Sequence, residues 1–365
     1  LTIQPKIVAC FVSSHGFGHA TRMAAIINEL HSVSSNIRFL LVHSLPHWFW
    51  IQNLDKSVSF ECHSFEVDVG LIQKGPFEHD LDSTLDKLDL LFNRKEKEFE
   101  LEELMKRNAV DHIISDISPI GLLIAEKLKI TTTLVENFTW DWIYEIYITR
   151  KVNFSSFITR FKSIYENISL RIQATPYCEF NENAHQVGPI HRKFKSPESA
   201  VKSGLGFKND ENFTLISTGG ISTKYCFLSE LYNREGNFVL CGDFQKLEKN
   251  KNLIFLPFNS GIHFPDIIRA ANQVVGKVGY GTVVECWAAN TPLLGICRSD
   301  FRESQTLRDF IFTEKIGNEI NESEFQNGQW ISKVDSFPKK TKRETILKSG
   351  NREAALAILN FCNPP

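Results

Sequence analysis

No two cysteines in this sequence have the C-x-x-C spacing. The eight that occur, at positions 10, 62, 178, 226, 241, 286, 297 and 362, keep no metal-ligand rhythm. That pattern argues against a cysteine-bound metal and is expected of reduced, mostly buried thiols in a cytoplasmic protein. No apolar run reaches the roughly 18 residues that a membrane span requires, and the first residues, from Leu1, do not read as a signal peptide. Positive charge is not in excess: 41 Lys and Arg against 43 Asp and Glu leave a net charge of -2, so nucleic acid is not an expected partner. Neither a Walker-type G-x4-G-K-[ST] loop nor a G-L-G-S-S loop occurs, which makes a kinase reading poor. What is present is the balance of a globular enzyme, 42% hydrophobic and 23% charged, at a length of 365 that fits two α/β domains with a small insertion.

Short apolar runs at Lys6–Val12, Ile37–Val42, Val110–Ser115 and Thr131–Val135 alternate with helical patterns at about Thr21–His31, Asp82–Asn108 and Pro119–Leu128. Buried strands alternating with helices are the mark of βαβ units on a parallel sheet. The charged stretch Arg94–Lys106 reads as a solvated helix face. Around Gly188–Ser199 the composition turns to Pro, Gly and charge, as in a linker, and then the pattern restarts. Strand Phe213–Ser217, glycine loop Thr218-Gly219-Gly220 and helix Thr223–Asn233 are followed by strands at Asn237–Cys241, Asn252–Leu256, Gln273–Gly276 and Pro292–Cys297. The expected fold class is therefore α/β, with two doubly wound Rossmann-like domains over residues 1–190 and 200–350. A C-terminal helix within 351–365 is expected to pack back across the boundary. Ligands of such sheets sit at the carboxyl ends of the strands, so both glycine loops should face one cleft.

Two loops carry the chemistry. The first, Ser13 to Arg22 (SSHGFGHATR), places Gly16 and Gly18 at a strand-to-helix turn, where a ligand can approach the backbone and free amides can meet an anion. It is not a dinucleotide fingerprint: Thr21 stands where a third glycine belongs, and the next strand ends in His43 rather than an acid. His15 and His19 are candidates for proton transfer, since imidazole titrates near working pH. The second loop, Gly276 to Glu285 (GKVGYGTVVE), follows a strand and opens a helix. Gly279, Tyr280, Gly281 and Thr282 are placed to hold a diphosphate, and Glu285 to accept from ribose hydroxyls. A third segment, Asp300 to Gln305 (DFRESQ), offers carboxylates and amides suited to sugar hydroxyls.

These loops, with Phe255–Pro257 (FLP) and His263–Ala271 (HFPDIIRAA), resemble the GT-B glycosyltransferases. Within that fold they are most similar to the lipid-linked N-acetylglucosamine transferase of peptidoglycan synthesis and the plant galactolipid synthases. The segments H-G-F-G-H-A-T-R and Val135–Tyr144 (VENFTWDWIY) are more similar to the transferase-like N-terminal half of plant L-arabinokinase. The resemblance implies catalytic roles for His19 and His15. It implies donor contacts from Gly18, Thr218, Gly219, Gly220, Gly279, Tyr280, Gly281, Thr282, Glu285, Glu303 and Gln305, and acceptor-side roles for Asn137, Trp140 and Asp141. It also implies transfer of a sugar from a nucleotide-sugar, a UDP-sugar above all, to the hydroxyl of a small molecule, lipid or glycan. No cofactor and no metal is expected, the nucleotide-sugar being a co-substrate.

Asp80-Leu81-Asp82 has the D-x-D spelling of a manganese site but lies in an acidic helix start, and a helix-start role is the expectation. His47-Trp48-Phe49-Trp50 and the basic segment Lys333–Arg352 are read as core and as a wet surface rather than as a peripheral membrane contact. Two other functions fit the same fold: a nucleotide-sugar 2-epimerase, which needs several cleft acids beside a histidine, and a non-catalytic sugar-nucleotide binder.

Overall fold

The computed structural model describes residues 5–75, 78–219, 225–336 and 345–362. Its strands are β1 Lys6–Val12, β2 Ile37–His43, β3 Ser59–Ser64, β4 Gln73–Gly75, β5 Glu78–His79, β6 His112–Asp116, β7 Thr131–Glu136, β8 Leu170–Ala174 and β9 His185–Val187. After residue 190 come β10 Phe213–Ser217, β11 Asn237–Gly242, β12 Glu248–Asn250, β13 Leu253–Pro257, β14 Gln273–Lys277, β15 Leu293–Ile296 and β16 Gly317–Ile320. They build two seven-stranded sheets, in the orders β3-β2-β1-β6-β7-β8-β9 and β12-β13-β11-β10-β14-β15-β16. Within these two sheets pairing is parallel except where the short β12 runs against β13, and β4 and β5 form a separate antiparallel pair.

The central strands are apolar because helices cover both faces of a parallel sheet. In β1 the residues Val8 to Val12 are buried, and all five residues of β6, β10 and β14 are buried. In each sheet the strand order reverses once, between β1 and β6 and between β10 and β14. A crevice opens above the carboxyl ends of the strands at such a reversal. The register sets Asp116 beside Val12 in one crevice and Gly276 beside Ser217 in the other.

The expected single helix over Asp82–Asn108 is two helices, Leu81–Asn93 and Lys95–Arg107, broken at Arg94. Their apolar stripes serve different cores: Leu81, Leu85 and Leu88 pack with Tyr144 and Phe161, whereas Leu101, Leu104 and Met105 pack with Ala9 and Phe11. Asp80 caps the first of these helices by accepting from the Ser83 amide at 3.0 Å. Of the expected helix Thr223–Asn233, Leu228–Tyr232 is helical, and residues 223 and 224 lie outside the described residues. Phe49 and Trp50 are buried in the helix His47–Asn53. Of the basic segment Lys333–Arg352, residues 337–344 lie outside the described residues. No described helix is long and apolar enough to cross a membrane.

The final helix, Asn351–Cys362, packs on the N-terminal half. Its Ala354, Ala355 and Ile358 join Met23 and Ile27 in one core, and Lys6 Nζ donates to the Cys362 carbonyl at 2.6 Å. Just before it, the Gly350 amide donates to the Pro189 carbonyl at 2.9 Å, so the two chain crossings between the halves run side by side.

Candidate active site

One cleft of about 380 Å³ lies between the two sheets. On the N-terminal side β1 ends in Ser13, and Gly16 takes φ +78°, a left-handed turn that glycine adopts without strain. The helix Gly18–Val33 then begins with no side-chain cap and no acid in its first turn. The helix Tyr280–Ala289 begins across the cleft in the same uncapped, acid-free way. Uncapped helix starts leave amide N–H groups and the positive end of the dipole for an anion. The two starts nearly touch, since a Cβ at Gly281 would fall 2.8 Å from Thr21 Oγ1 and 3.7 Å from Gly18 Cα. Position 281 therefore favours glycine for contact between the halves.

His19 lines the cleft and is 7% exposed. Its Nδ1 lies 2.8 Å from Oδ1 of Asp116, the last residue of β6. Arg22, one turn further along the same helix, donates to both oxygens of Asp116, Nε to Oδ2 at 2.8 Å and Nη2 to Oδ1 at 2.6 Å. Burial works to raise the Asp116 carboxyl, but Arg22 and His19 prevail and hold it below the usual carboxylate range. The chain of bonds continues: Arg22 Nη1 donates to Asn137 Oδ1 at 2.5 Å, and Asn137 Nδ2 donates to Glu303 Oε1 at 2.8 Å. The Arg22 guanidinium also sits 4.8 Å from the ring centroid of Tyr280. One buried network thus runs from His19 in the N-terminal half to Glu303 in the C-terminal half.

His15 also lines the cleft, with its ring edge-on to Trp140 at 5.5 Å. Burial, and then the charges of Arg298 and Lys277, push its pKa well below the ordinary value. An imidazole held neutral so firmly is a poor proton acceptor, and His15, unlike His19, has no carboxylate bonded to its ring.

At the opposite end, Leu256, Pro257, Phe258, Ile262 and Phe264 form an apolar wall. Beside it stands Glu285, 1% exposed, with both carboxylate oxygens occupied by Arg192. Arg192 Nε donates to Oε1 at 2.7 Å and Nη2 to Oε2 at 2.9 Å, and Nη1 reaches Asn53 Oδ1 at 2.6 Å. No local pattern marks this partner, because Arg192 lies in the stretch that reads as a linker.

Gly18, Gly219, Gly279, Tyr280, Gly281, Thr282, Glu285, Glu303 and Asn137 all line the cleft. Four of the expected site residues do not line it. Gln305 points outward on the helix Glu303–Thr313 and donates to Asp309 at 2.8 Å, because two steps along a helix from the inward Glu303 is the opposite face. Thr218 is buried beside the cleft without lining it, its side chain bonded to Tyr225. Trp140 is fully buried and donates through Nε1 to Asp68 at 3.0 Å, so it backs the histidines rather than meeting a ligand. Asp141, next on the same short helix, also lies off the cleft. Gly220 lies outside the described residues.

Residues missed in the sequence are Asp116, Arg22 as its partner, Arg192, Lys277 and Arg298. Asp116 had a readable signal, an acid closing the apolar run HIISD at the end of a strand where ligands of parallel sheets bind.

No protein-family model matches the chain. Over 330 residues it is 26% identical to the L-arabinokinase of Arabidopsis thaliana, a match that takes in 89% of this chain and 31% of that protein. Among solved structures, it superposes on a Polygonum tinctorium UDP-glucosyltransferase able to glucosylate indoxyl with TM-score 0.62 and 12% identity, over 99% of this chain and 94% of that one. Phytolacca americana UGT2, complexed with UDP-2-fluoro-glucose and pterostilbene, matches with TM-score 0.60 and 12% identity over the same shares. The glycosyltransferase SnogD from Streptomyces nogalater matches with TM-score 0.54 and 16% identity over 98% and 95%. With two parallel Rossmann-like sheets facing one cleft, this chain has the GT-B fold and resembles the glycosyltransferases built on it.

Proposed function

We propose that this chain moves a sugar from a nucleotide-sugar, a UDP-sugar in the first instance, to a hydroxyl of a small molecule, lipid or glycan. The observation that carries the reading is the His19–Asp116 pair set opposite an uncapped helix start across one cleft. Asp116 fixes the tautomer by accepting from Nδ1–H, which leaves Nε2 to accept a proton. The acceptor O–H gives that proton to Nε2 while its oxygen forms the new bond to the anomeric carbon. The bond from that carbon to the donor phosphate breaks, and the diphosphate leaves with the electron pair toward the amides at Gly281–Val283. The apolar wall would take the base, and Thr282 and Glu285 the phosphate and ribose. Val69, Leu71 and Phe138 beside His19 favour an acceptor with an apolar part. The reading calls for no metal and no cofactor.

A 2-epimerase needs free acids in the cleft. The two that line it, Glu285 and Glu303, are bonded to Arg192 and Asn137. The glycosyltransferases named above lend the reading support in kind.

The test is a thermal-shift screen with UDP-, GDP-, dTDP- and CMP-sugars, followed by product analysis with acceptor panels, since a ligand of the native state raises apparent stability. At least one nucleotide-sugar should raise the Tm and be consumed. A chain that none of them stabilises and that consumes none would end this reading.

A further inference from the structure

Four cationic side chains line the cleft, and they divide into two kinds. Arg22 and Arg192 are each matched by a buried carboxylate, Asp116 and Glu285. Lys277 and Arg298 are not. Lys277 is the last residue of β14, and Arg298 lies two residues beyond β15, which pairs with β14 in register Lys277 to Ile296. The two thus stand at the carboxyl ends of adjacent parallel strands, 9% and 5% exposed. Among the described residues the Lys277 side chain has no hydrogen-bond or ion-pair partner. Arg298 has one contact to a polar group, Nη1 to His79 Nε2 at 3.3 Å, and its Nε is buried without a partner. The face of the guanidinium rests on Phe301, 3.9 Å from the ring centroid.

Of the acids whose fields reach this pair, Glu303 is held by Asn137 and one oxygen of Asp300 by His79 Nδ1 at 2.9 Å, while Glu322 acts on Arg298 from a distance; none of the three forms an ion pair with Lys277 or Arg298. His15, held neutral, completes the surroundings. Burial, and then the nearby Arg298, bring Lys277 down to about 7. Two like charges buried side by side, with no carboxylate bonded to either, are costly to the empty fold. Such an arrangement is expected where a ligand supplies the missing charge.

We propose that Lys277 and Arg298 form an anion subsite at the sugar end of the cleft, separate from the helix-start amides. Its ligand is an anionic oxygen group carried beyond the phosphate nearest the nucleoside. This rests on the nucleotide-sugar reading and deepens it. Two sources supply that chemistry, the outer phosphate of the donor or a carboxylate on an acidic transferred sugar. Arg298 can grip either with two parallel N–H donors, and Lys277 adds a point charge.

The experiment is calorimetric titration of the parent chain, Lys277→Met and Arg298→Met with UMP, UDP, UDP-glucose, UDP-glucuronate and inorganic pyrophosphate. The charge-keeping variants Lys277→Arg and Arg298→Lys, with circular dichroism, control for folding. If the outer phosphate is the ligand, the Met variants lose about ten- to a hundredfold in affinity for UDP, UDP-glucose and pyrophosphate, and little for UMP. If a sugar carboxylate is the ligand, the loss is confined to UDP-glucuronate. In both cases the charge-keeping variants retain most of the affinity. Met variants that are folded and bind all five probes within twofold of the parent overturn the subsite while leaving the nucleotide-sugar reading intact. A parent that binds pyrophosphate through these two residues but no nucleotide keeps the subsite and ends that reading. A parent that binds none of the five ends both.

Discussion

Glu285 offers the sharpest test of how this cleft is built. Read from the sequence alone, Glu285→Ala is a binding variant with an intact fold. The ion pair with Arg192 makes it a stability variant as well. The guanidinium is 5% exposed and its Nε and Nη2 donors both end on Glu285, so the substitution strands a buried charge. Removing one partner of a buried pair typically costs about 3–5 kcal/mol, because the other is left uncompensated. At about 2–4 °C per kcal/mol for units of 150–250 residues, the Tm should fall by about 6–20 °C. Arg192→Met should cost a similar amount from the other side, since Glu285 is 1% exposed. The double variant Arg192→Met/Glu285→Met should recover most of the loss, because an apolar pair of similar size is often as stable as the ion pair it replaces. Urea and thermal unfolding of the parent, both singles and the double close the cycle and isolate the coupling. Singles that cost less than about 1 kcal/mol, the worth of an exposed pair, would refute the claim that this contact is desolvated and tight.

Other outcomes follow from the same geometry. If His19 is the base, His19→Ala and His19→Gln should both lose on the order of 10²–10⁴ in turnover while keeping donor affinity, and an active Gln variant would remove that role. Asp116→Asn should also cut turnover, and it weakens the grip of Arg22, so a fully active, equally stable Asn variant would deny Asp116 its part. Gly281→Val should push Thr21 and Gly18 away and open the contact between the halves, read as a lower Tm even without ligand. The buried His43, His112 and His263 sit at about 4, 4 and 3 in the folded chain against 6.5 when exposed. The unfolded chain therefore binds more protons below pH 6.5, and stability should fall as pH drops from there toward 4, by up to about 1.4 kcal/mol per pH unit for each histidine. A flat stability profile across that window would contradict their burial.

The two-sheet plan was legible because buried parallel strands are apolar runs and because both site loops place glycines between such a run and a helix. Strands β3, β9, β12 and β16 are not legible, being edge strands whose sequences SFECHS, HQV, EKN and GNEI carry no apolar run; nor are the interior β8 (LRIQA), in which polar residues interrupt the apolar ones, and the short β4–β5 pair. The site was half legible. Residues inside a loop, such as His19 and Gly281, declare themselves by local pattern. Asp116 lies 97 residues from His19, and only the pairing of β1 with β6 brings it beneath the first loop. Strand order leaves no mark in a single sequence, and neither does the reach of Arg192 out of an apparent linker. Gln305 failed for the reverse reason: its residue type fits a sugar, but helical phase turns it to solvent.

The paired crossings at Pro189 and Gly350 have the geometry of a hinge with two pins. A single tether would let one half swivel about any axis, whereas two tethers a hydrogen bond apart leave one easy rotation, about the line that joins them. Tyr280 sits close to that line, its hydroxyl accepting from the Ile190 amide and donating to the Thr175 carbonyl, each at 3.1 Å. Groups near the pins travel little when the halves swing, and groups at the far lip travel most. The start of the helix at Tyr280 is thus the part of the C-terminal half that a swing about the pins would displace least.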